Sequence, residues 1–362
     1  MRLLVDAHVF DGKFQGTRTY IEGIYKELIK KKDIEFYFAA QNLENLSKVF
    51  GIHPNVHYVQ LKEGGSVNRL VFQWHQIVKK HSIDWAHYQY ISPLKKCCNE
   101  IVTLHDLLFL DMPEYFPLSY RLKNKYFFRR SAKRADILLT VSSFSKGEIV
   151  QHFNISPEKI YITPNSVLPA DENLSLPDVK SKWGMNKFIL SVGRYEPRKN
   201  LAMLMRAFSE LELHTKGYKL VLIGSKDIEN KEVYNFYENA DANLKSAIIM
   251  DKVSFVELVS LYKNADLFVF PSLGEGFGIP PLEAMVYGCP LICSNVTAMK
   301  EFELPDEITF NPKDLNDLKR KMVSVLSSEK QHINYDSIID KYTWQNSADI
   351  LYKSINSYTS KQ

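Results

Sequence analysis

Pro271-Ser272-Leu273-Gly274-Glu275-Gly276-Phe277-Gly278-Ile279-Pro280-Pro281-Leu282-Glu283-Ala284-Met285 follows directly on the apolar run Leu267-Phe268-Val269-Phe270. The apolar run reads as a buried strand and the three glycines as a tight turn. Pro280-Pro281 sits where proline is tolerated, in the first turn of a helix whose amide donors lack intrahelical partners. Such a turn offers positive backbone dipoles to an anion. Glu275 and Glu283, eight positions apart, frame that anion site, and each needs a neutral partner there, such as sugar hydroxyls. A ligand with phosphate in its middle and polyols at both ends, as in a nucleotide sugar, suits all three groups. A strand, a glycine turn and a helix in that order also mark an α/β fold.

Three further segments accompany this stretch. Ser191-Val192-Gly193-Arg194-Tyr195-Glu196-Pro197-Arg198-Lys199-Asn200 carries cations after a second apolar run. Val102-Thr103-Leu104-His105-Asp106 precedes Phe109 and Pro113-Glu114-Tyr115-Phe116, and Ala135-Asp136-Ile137-Leu138-Leu139-Thr140-Val141-Ser142-Ser143-Phe144-Ser145-Lys146 lies beyond them. With Glu275-x7-Glu283, these resemble, in order, the motifs of retaining glycosyltransferases of the GT-B type, in particular glycosyltransferase family 4. The resemblance implies two Rossmann-like domains with parallel sheets facing across a cleft. It also implies an Arg and a Lys on the donor diphosphate and retention of anomeric configuration.

The 362-residue chain is long for one core and comfortable for two domains. Hydrophobic residues at 45% and charged ones at 24% exclude disorder and low complexity. The formal charge of +4 does not by itself argue for nucleic acid, and no nucleic-acid partner is expected. Cys97, Cys98, Cys289 and Cys293 lack the spacing of a disulfide framework or a zinc site. No signal peptide or spanning segment is read, so a cytoplasmic protein is expected.

Apolar runs alternate with amphipathic ones twice along the chain. Strands are expected at Leu3–Val5, Glu35–Ala39, His57–Gln60, Trp85–His87, Ile101–Leu104 and Ile137–Val141. A second set falls at Ile189–Val192, Leu220–Ile223, Ala247–Met250, Leu267–Phe270 and Leu291–Ser294. Helices are expected at Thr17–Lys31, Val67–His81, Ser119–Arg134 and Ser145–Phe153. The proline-bearing stretch from Pro164 through Pro169 to Asp171-Glu172-Asn173 and Pro177 reads as a linker. The expected division is residues 1–165 as an acceptor domain and 166–342 as a donor domain. A final helix, Thr343–Tyr358 within 343–362, crosses back to the first domain by resemblance.

Glu275, Arg194 and His105 each follow an expected strand, and ligands of open α/β sheets bind outside the carboxyl ends of strands. Arg194 and Lys199 are expected to neutralise the leaving diphosphate. Glu283 would accept from a ribose diol and Glu275 would lie near the transferred sugar. Gly276, Phe277 and Gly278 would offer backbone amides, with Leu282 in the same donor-binding segment. His105 is the candidate polar group at the sugar and need not be a base. Gly16, in Gln15-Gly16-Thr17-Arg18, resembles the family's glycine loop, although the family's pair of glycines is reduced to one. The catalytic set is therefore His105, Arg194, Lys199 and Glu275.

The chain contains no Asp-x-Asp, so no cofactor and no obligatory metal are expected. Seven basic and no acidic residues from Arg121 to Arg134, with Tyr126-Phe127-Phe128 among them, suggest peripheral contact with the cytoplasmic face of an inner membrane. The competing reading is a solvated helix face. The best overall reading is transfer of a hexose, mannose from GDP-mannose first. The acceptor would be a saccharide or a polyprenyl-diphosphate-linked one, in lipopolysaccharide O-antigen or other surface polysaccharide assembly. Two alternatives remain, a glycoside hydrolase using paired carboxylates and a non-catalytic nucleotide-sugar binding protein. A dehydrogenase fits less well, because the first strand is not followed by Gly-x-Gly-x-x-Gly.

Overall fold

A computed structural model describes residues 1–12, 16–168, 170, 175–225, 230–327 and 333–360. The linker expectation at Pro169 and Asp171–Leu174, and Gln15 of the glycine loop, fall outside the described residues. Contacts divide the chain into two compact units, Met1–Leu168 with Lys341–Gln362, and Pro169–Asp340.

In the first unit the strands are β1 (Arg2–Asp6), β2 (Glu35–Ala40), β3 (Val56–Gln60), β4 (Trp85–Gln89), β5 (Asn99–Thr103), β6 (Ile137–Thr140) and β7 (Ile160–Ile162). They form one parallel sheet in the order β3-β2-β1-β4-β5-β6-β7. A sheet covered by helices on both faces buries nearly every position of its inner strands, and β4 and β6 are buried throughout. The expected helix at Val67–His81 is broken. It starts at Gly65–Asn68, widens into a π-helical stretch at Arg69–Gln73, and continues as Trp74–His81.

The helix Trp344–Thr359 completes this unit. Its Trp344 Nε1 donates to the Val167 carbonyl at 3.1 Å and Ser347 Oγ to the Pro164 carbonyl at 2.6 Å. Trp344 lies flat against Gly23 of the helix Gly16–Leu28, where a Cβ would come within 2.1 Å of its ring.

The second unit carries β8 (Lys187–Val192), β9 (Tyr218–Ile223), β10 (Ile248–Asp251), β11 (Leu267–Phe270), β12 (Leu291–Ser294) and β13 (Thr309–Phe310). Their order is β10-β9-β8-β11-β12-β13, again all parallel. Its core gathers Ile189, Leu220, Leu222, Leu267, Val269 and Ile292 under the helix Leu201–Glu210, whose Leu204, Met205 and Phe208 are fully buried. Each unit is thus a Rossmann-like α/β layer structure. No disulfide joins the four cysteines among the described residues.

Candidate active site

β8 and β11 are parallel neighbours, so the loops that follow them leave from the same carboxyl edge of the second unit. One loop carries Arg194, Glu196, Arg198 and Lys199, and the other carries Ser272 and Glu275. The chain locks the two loops together through main-chain groups, with Leu273 N donating to the Arg198 carbonyl at 2.8 Å. The charged groups then meet. Lys199 Nζ donates to Glu275 Oε1 at 2.6 Å, Ser272 Oγ donates to the same oxygen at 2.6 Å, and Arg198 lies 3.1 Å from Glu275 Oε2. Arg198 also holds Glu196 at 2.8 Å, and Arg194 reaches Glu196 from outside at 3.1 Å.

Exposure ranks these groups. The Arg194 side chain is 45% exposed, those of Lys199 and Arg198 only 12% and 15%. Burial alone would raise the Glu275 carboxyl, but Lys199 and Arg198 outweigh it and hold it at about 2. The Lys199 ammonium is pulled down by burial, against the opposing pull of Glu275. Three cations against two carboxylates leave one net positive charge in a largely dry loop pair. An additional anion finds there both charge and directed N–H donors.

The helix Ile279–Val286 opens on Gly278, whose φ of 109° is open to glycine and strained for other residues. A Cβ there would also lie 3.2 Å from Phe302, whose ring packs edge-on against buried Phe277 at 5.7 Å. Of the first three helical residues only Ile279 carries an N–H, since Pro280 and Pro281 have none. Leu282 is buried in the packing beneath the helix, so its side chain serves the core. Glu283 is half-buried and accepts from Tyr262 Oη at 2.8 Å. Burial pushes its carboxyl up to about 7, with the tyrosine opposing.

His105 follows β5 of the first unit and is buried, its ring 5.0 Å edge-on from Tyr20 of the helix that starts at Gly16. Gly16 itself is exposed. His105 Nε2 lies 2.7 Å from Gln89 Oε1, an oxygen that can only accept, so Nε2 carries the proton and Nδ1 is left with a lone pair. The opposite end of that amide donates to His87 Nε2 at 3.2 Å, and Thr103 Oγ1 lies 2.7 Å from the same nitrogen. His87 Nδ1 is then the protonated nitrogen and faces Tyr25 Oη at 2.7 Å. Burial holds both imidazoles neutral, near 3. His105 is therefore a neutral hydrogen-bonding group with a fixed tautomer.

The structure thus brings Arg194, Lys199 and Glu275 into one cluster of the second unit and places His105 and Gly16 in the first. Glu196, Arg198 and Gln89 escaped the reading of the sequence. The run Glu-Pro-Arg-Lys held a signal for the first two, since alternating charges in a short loop usually pair with something. Among the described residues one group brings three metal-ligand types together: Asp111, Glu148 and His152, with ligand atoms within 4.8 Å. It lies in the first unit, where His152 Nε2 contacts Asp111 at 2.6 Å, and burial together with Asp111 pushes Glu148 to about 8.

The sheets and the loop cluster define a GT-B type α/β protein. Sucrose-phosphate synthase from Thermosynechococcus elongatus has the same fold, at a TM-score of 0.76 and 16% identity over 100% of this chain and 99% of that one. The chain matches the family described as Glycosyltransferase Family 4 over residues 14–170 and Glycosyl transferases group 1 over residues 176–341. It belongs to the family 4 glycosyltransferases. Among relatives, it is 30% identical over 235 residues to O-antigen chain mannosyltransferase B of Escherichia coli, covering 63% of this chain and 61% of that one. It is 31% identical over 236 residues to the serotype-specific mannosyltransferase WbdA of Escherichia coli, covering 60% of this chain and 28% of the relative. An N-acetylgalactosaminyltransferase of Campylobacter jejuni, named for a diphospho-undecaprenol acceptor, is 27% identical over 56% of this chain and 60% of its own length. The matches therefore span less than two thirds of these relatives. Among the described residues no helix is long and apolar enough to cross a membrane.

Proposed function

We propose that the chain transfers a hexose, with retention of configuration, from a nucleotide sugar to a saccharide or polyprenyl-diphosphate-linked acceptor in surface polysaccharide assembly. Mannose from GDP-mannose is the first donor to test, and the names of the Escherichia coli relatives support it. The name of the Campylobacter relative supports a lipid-linked acceptor. The observation that carries the reading is the joining of Lys199 and Arg198 to Glu275 at the carboxyl edge of β8 and β11.

Departure of a nucleoside diphosphate leaves negative charge on the phosphate while the sugar carbon becomes cationic. Arg194 and Lys199 take the phosphate charge, with Arg198 beside them. Preorganised donors act strongly where Lys199 and Arg198 are largely shielded from water, and loss of one such donor typically costs about 10²–10³ in turnover. Glu275 stays ionised at neutral pH and places negative charge beside the developing oxocarbenium. Glu283 receives ribose hydroxyls, and neutral His105 offers Nδ1 as an acceptor to a sugar hydroxyl. The cations do the work a divalent ion would do, so no metal is required in this scheme.

A glycoside hydrolase needs one carboxyl to give a proton and the other to attack or to activate water. Both oxygens of Glu275 are already held, by Lys199 and Ser272 on one side and Arg198 on the other. A non-catalytic binding protein would bind the nucleotide without turnover.

A thermal-shift panel of UDP, GDP and ADP with their sugars, in EDTA, tests the reading. One nucleoside diphosphate at about 100 times its Kd should stabilise by about 2.7 kcal/mol, a shift of roughly 5–10 °C. Lys199→Ala should abolish the shift measured from its own ligand-free Tm. A shift that persists in Lys199→Ala removes the diphosphate role, and a shift without transfer to any acceptor favours the binding protein.

A further inference from the structure

The helix Leu118–Arg134 closes one side of the first unit through Asn124, Phe128, Ser131 and Ala132, which are buried. At about 100° per residue these four fix which way the opposite face points. Leu118, Leu122 and Tyr126, four residues apart, share the outward face and are 61%, 62% and 66% exposed. Lys125, Arg129 and Lys133, also four apart and exposed, continue the same face toward the carboxyl end. Along this face the apolar side chains lie toward the amino end and the cations toward the carboxyl end, with exposed Lys123 beside the apolar group. Not one acidic residue lies between Tyr115 and Ala135.

Two other cations of this stretch show what a structural role looks like. Arg134 binds Glu100 at 2.8 Å and the Ser92 hydroxyl at 2.7 Å, and Arg130 donates to the Pro93 carbonyl at 2.9 Å. These two clamp the loop at Ser92–Leu94 to the helix. Lys125, Arg129 and Lys133 form no ion pair among the described residues. The clamped loop extends the surface, because Leu94 is 49% exposed and its N–H donates to the Leu70 carbonyl, next to Phe72 at 58% exposure. Exposed Lys95 follows it, while Lys96 beside it is paired with Asp136 at 2.6 Å.

We propose that this face docks the first unit on an anionic lipid surface. Leu118, Leu122 and Tyr126 would enter the headgroup boundary, where an apolar body with a polar tip such as tyrosine is at ease. Lys125, Arg129 and Lys133 would lie over lipid phosphates, their stems along the apolar side chains. A fluid array of phosphates satisfies cations at any spacing, whereas a folded protein partner would have to place carboxylates at each. The proposal deepens the lipid-linked acceptor reading and rests on it for purpose alone, since docking itself needs neither donor nor acceptor.

The test is flotation of the full chain with protein-free vesicles, phosphatidylcholine alone or mixed with phosphatidylglycerol, across a salt series. The chain should float with the mixed vesicles, release as salt rises, and stay down with phosphatidylcholine. The triple variant Lys125→Ser/Arg129→Ser/Lys133→Ser removes three exposed cations and should lower the vesicle partition constant roughly a hundredfold. Leu122→Ser/Tyr126→Ser should weaken it without changing the salt slope. Both variants touch only solvent-facing positions, and circular dichroism and Tm should match the parent. Binding indifferent to anionic lipid and salt, or equal flotation of the triple variant, overturns the proposal. Retention only on native membranes that still carry their proteins makes the face a protein-docking surface and also overturns it. Transfer to a water-soluble acceptor should be unchanged in the triple variant. Loss of flotation with intact transfer separates this proposal from the catalytic one.

Discussion

Glu275 and Glu283 stand eight residues apart and meet opposite surroundings, one held at about 2 by two cations and the other lifted to about 7 by burial. Environment assigns the two carboxyls different tasks. Glu275→Gln leaves Lys199 without its counter-charge while Arg198 keeps Glu196. The expected loss is toward the low end of the about 3–5 kcal/mol typical of a broken buried pair, read from urea unfolding at pH 7. Its pH course has a definite sign. A carboxyl whose folded value lies below 4.5 stabilises above that pH and loses its contribution as pH falls toward 2. The acid limb of the parent should therefore be steeper than that of Glu275→Gln, and parallel limbs would show the carboxylate to be unpaired in solution. Nucleoside diphosphate binding should survive this substitution while transfer falls, which separates holding the phosphate from meeting the sugar. Glu283 behaves in reverse. Its raised value means the folded chain prefers the protonated form, so a penalty accumulates as pH climbs from 4.5 to about 7 and is constant above. Stability of Glu283→Gln relative to the parent should rise across that window, and a flat difference would place Glu283 in water.

The elements explain why some of this was legible in the sequence and some was not. β11 and β12 run from Leu267 to Phe270 and from Leu291 to Ser294, as the apolar runs predict, because a strand covered on both faces is a continuous apolar block. β7 and β13 were not foreseen. They have three and two residues and close the edges of their sheets, where half the covering is missing and no period can develop. The break in the helix at Arg69–Gln73 was also invisible, since an extra residue in one turn changes no composition. For the candidate site, strand-end position pointed to Arg194 and Glu275, whose loops leave one edge because β8 and β11 are parallel neighbours, and to His105 in the other unit. Arg198, Glu196 and Gln89 were missed for a different reason. Arg198 finds Glu275 in another loop and Gln89 finds His105 beyond the next strand, at distances only the folded chain defines, while Glu196 pairs inside its own loop with Arg194 and Arg198.

At the scale of the molecule the chain starts and finishes in the same unit, and the second unit is inserted between residue 168 and residue 341. What closes the first unit after that excursion is a helix pair. Trp344 sits on Gly23, anchored by the Val167 carbonyl and set edge-on to Tyr20 at 6.3 Å. Two effects compete at Gly23. Alanine in a helix interior is worth about 1 kcal/mol more than glycine, which would stabilise Gly23→Ala. Against this, a Cβ would lie 2.1 Å from the indole, and the contact can be relieved only by moving a ring that is hydrogen-bonded and 6% exposed. Overpacking of this kind costs about 1–3 kcal/mol or more. Packing wins, so Gly23→Ala should lower the Tm by several degrees. The second substitution, Trp344→Leu, should be costly in the parent and much less so in the Gly23→Ala background, because the clash has gone with the ring. A double-mutant cycle of urea unfolding energies therefore should show coupling well above the roughly 0.5 kcal/mol of independent sites. Additive effects would mean that the last helix does not lie on the first one in solution.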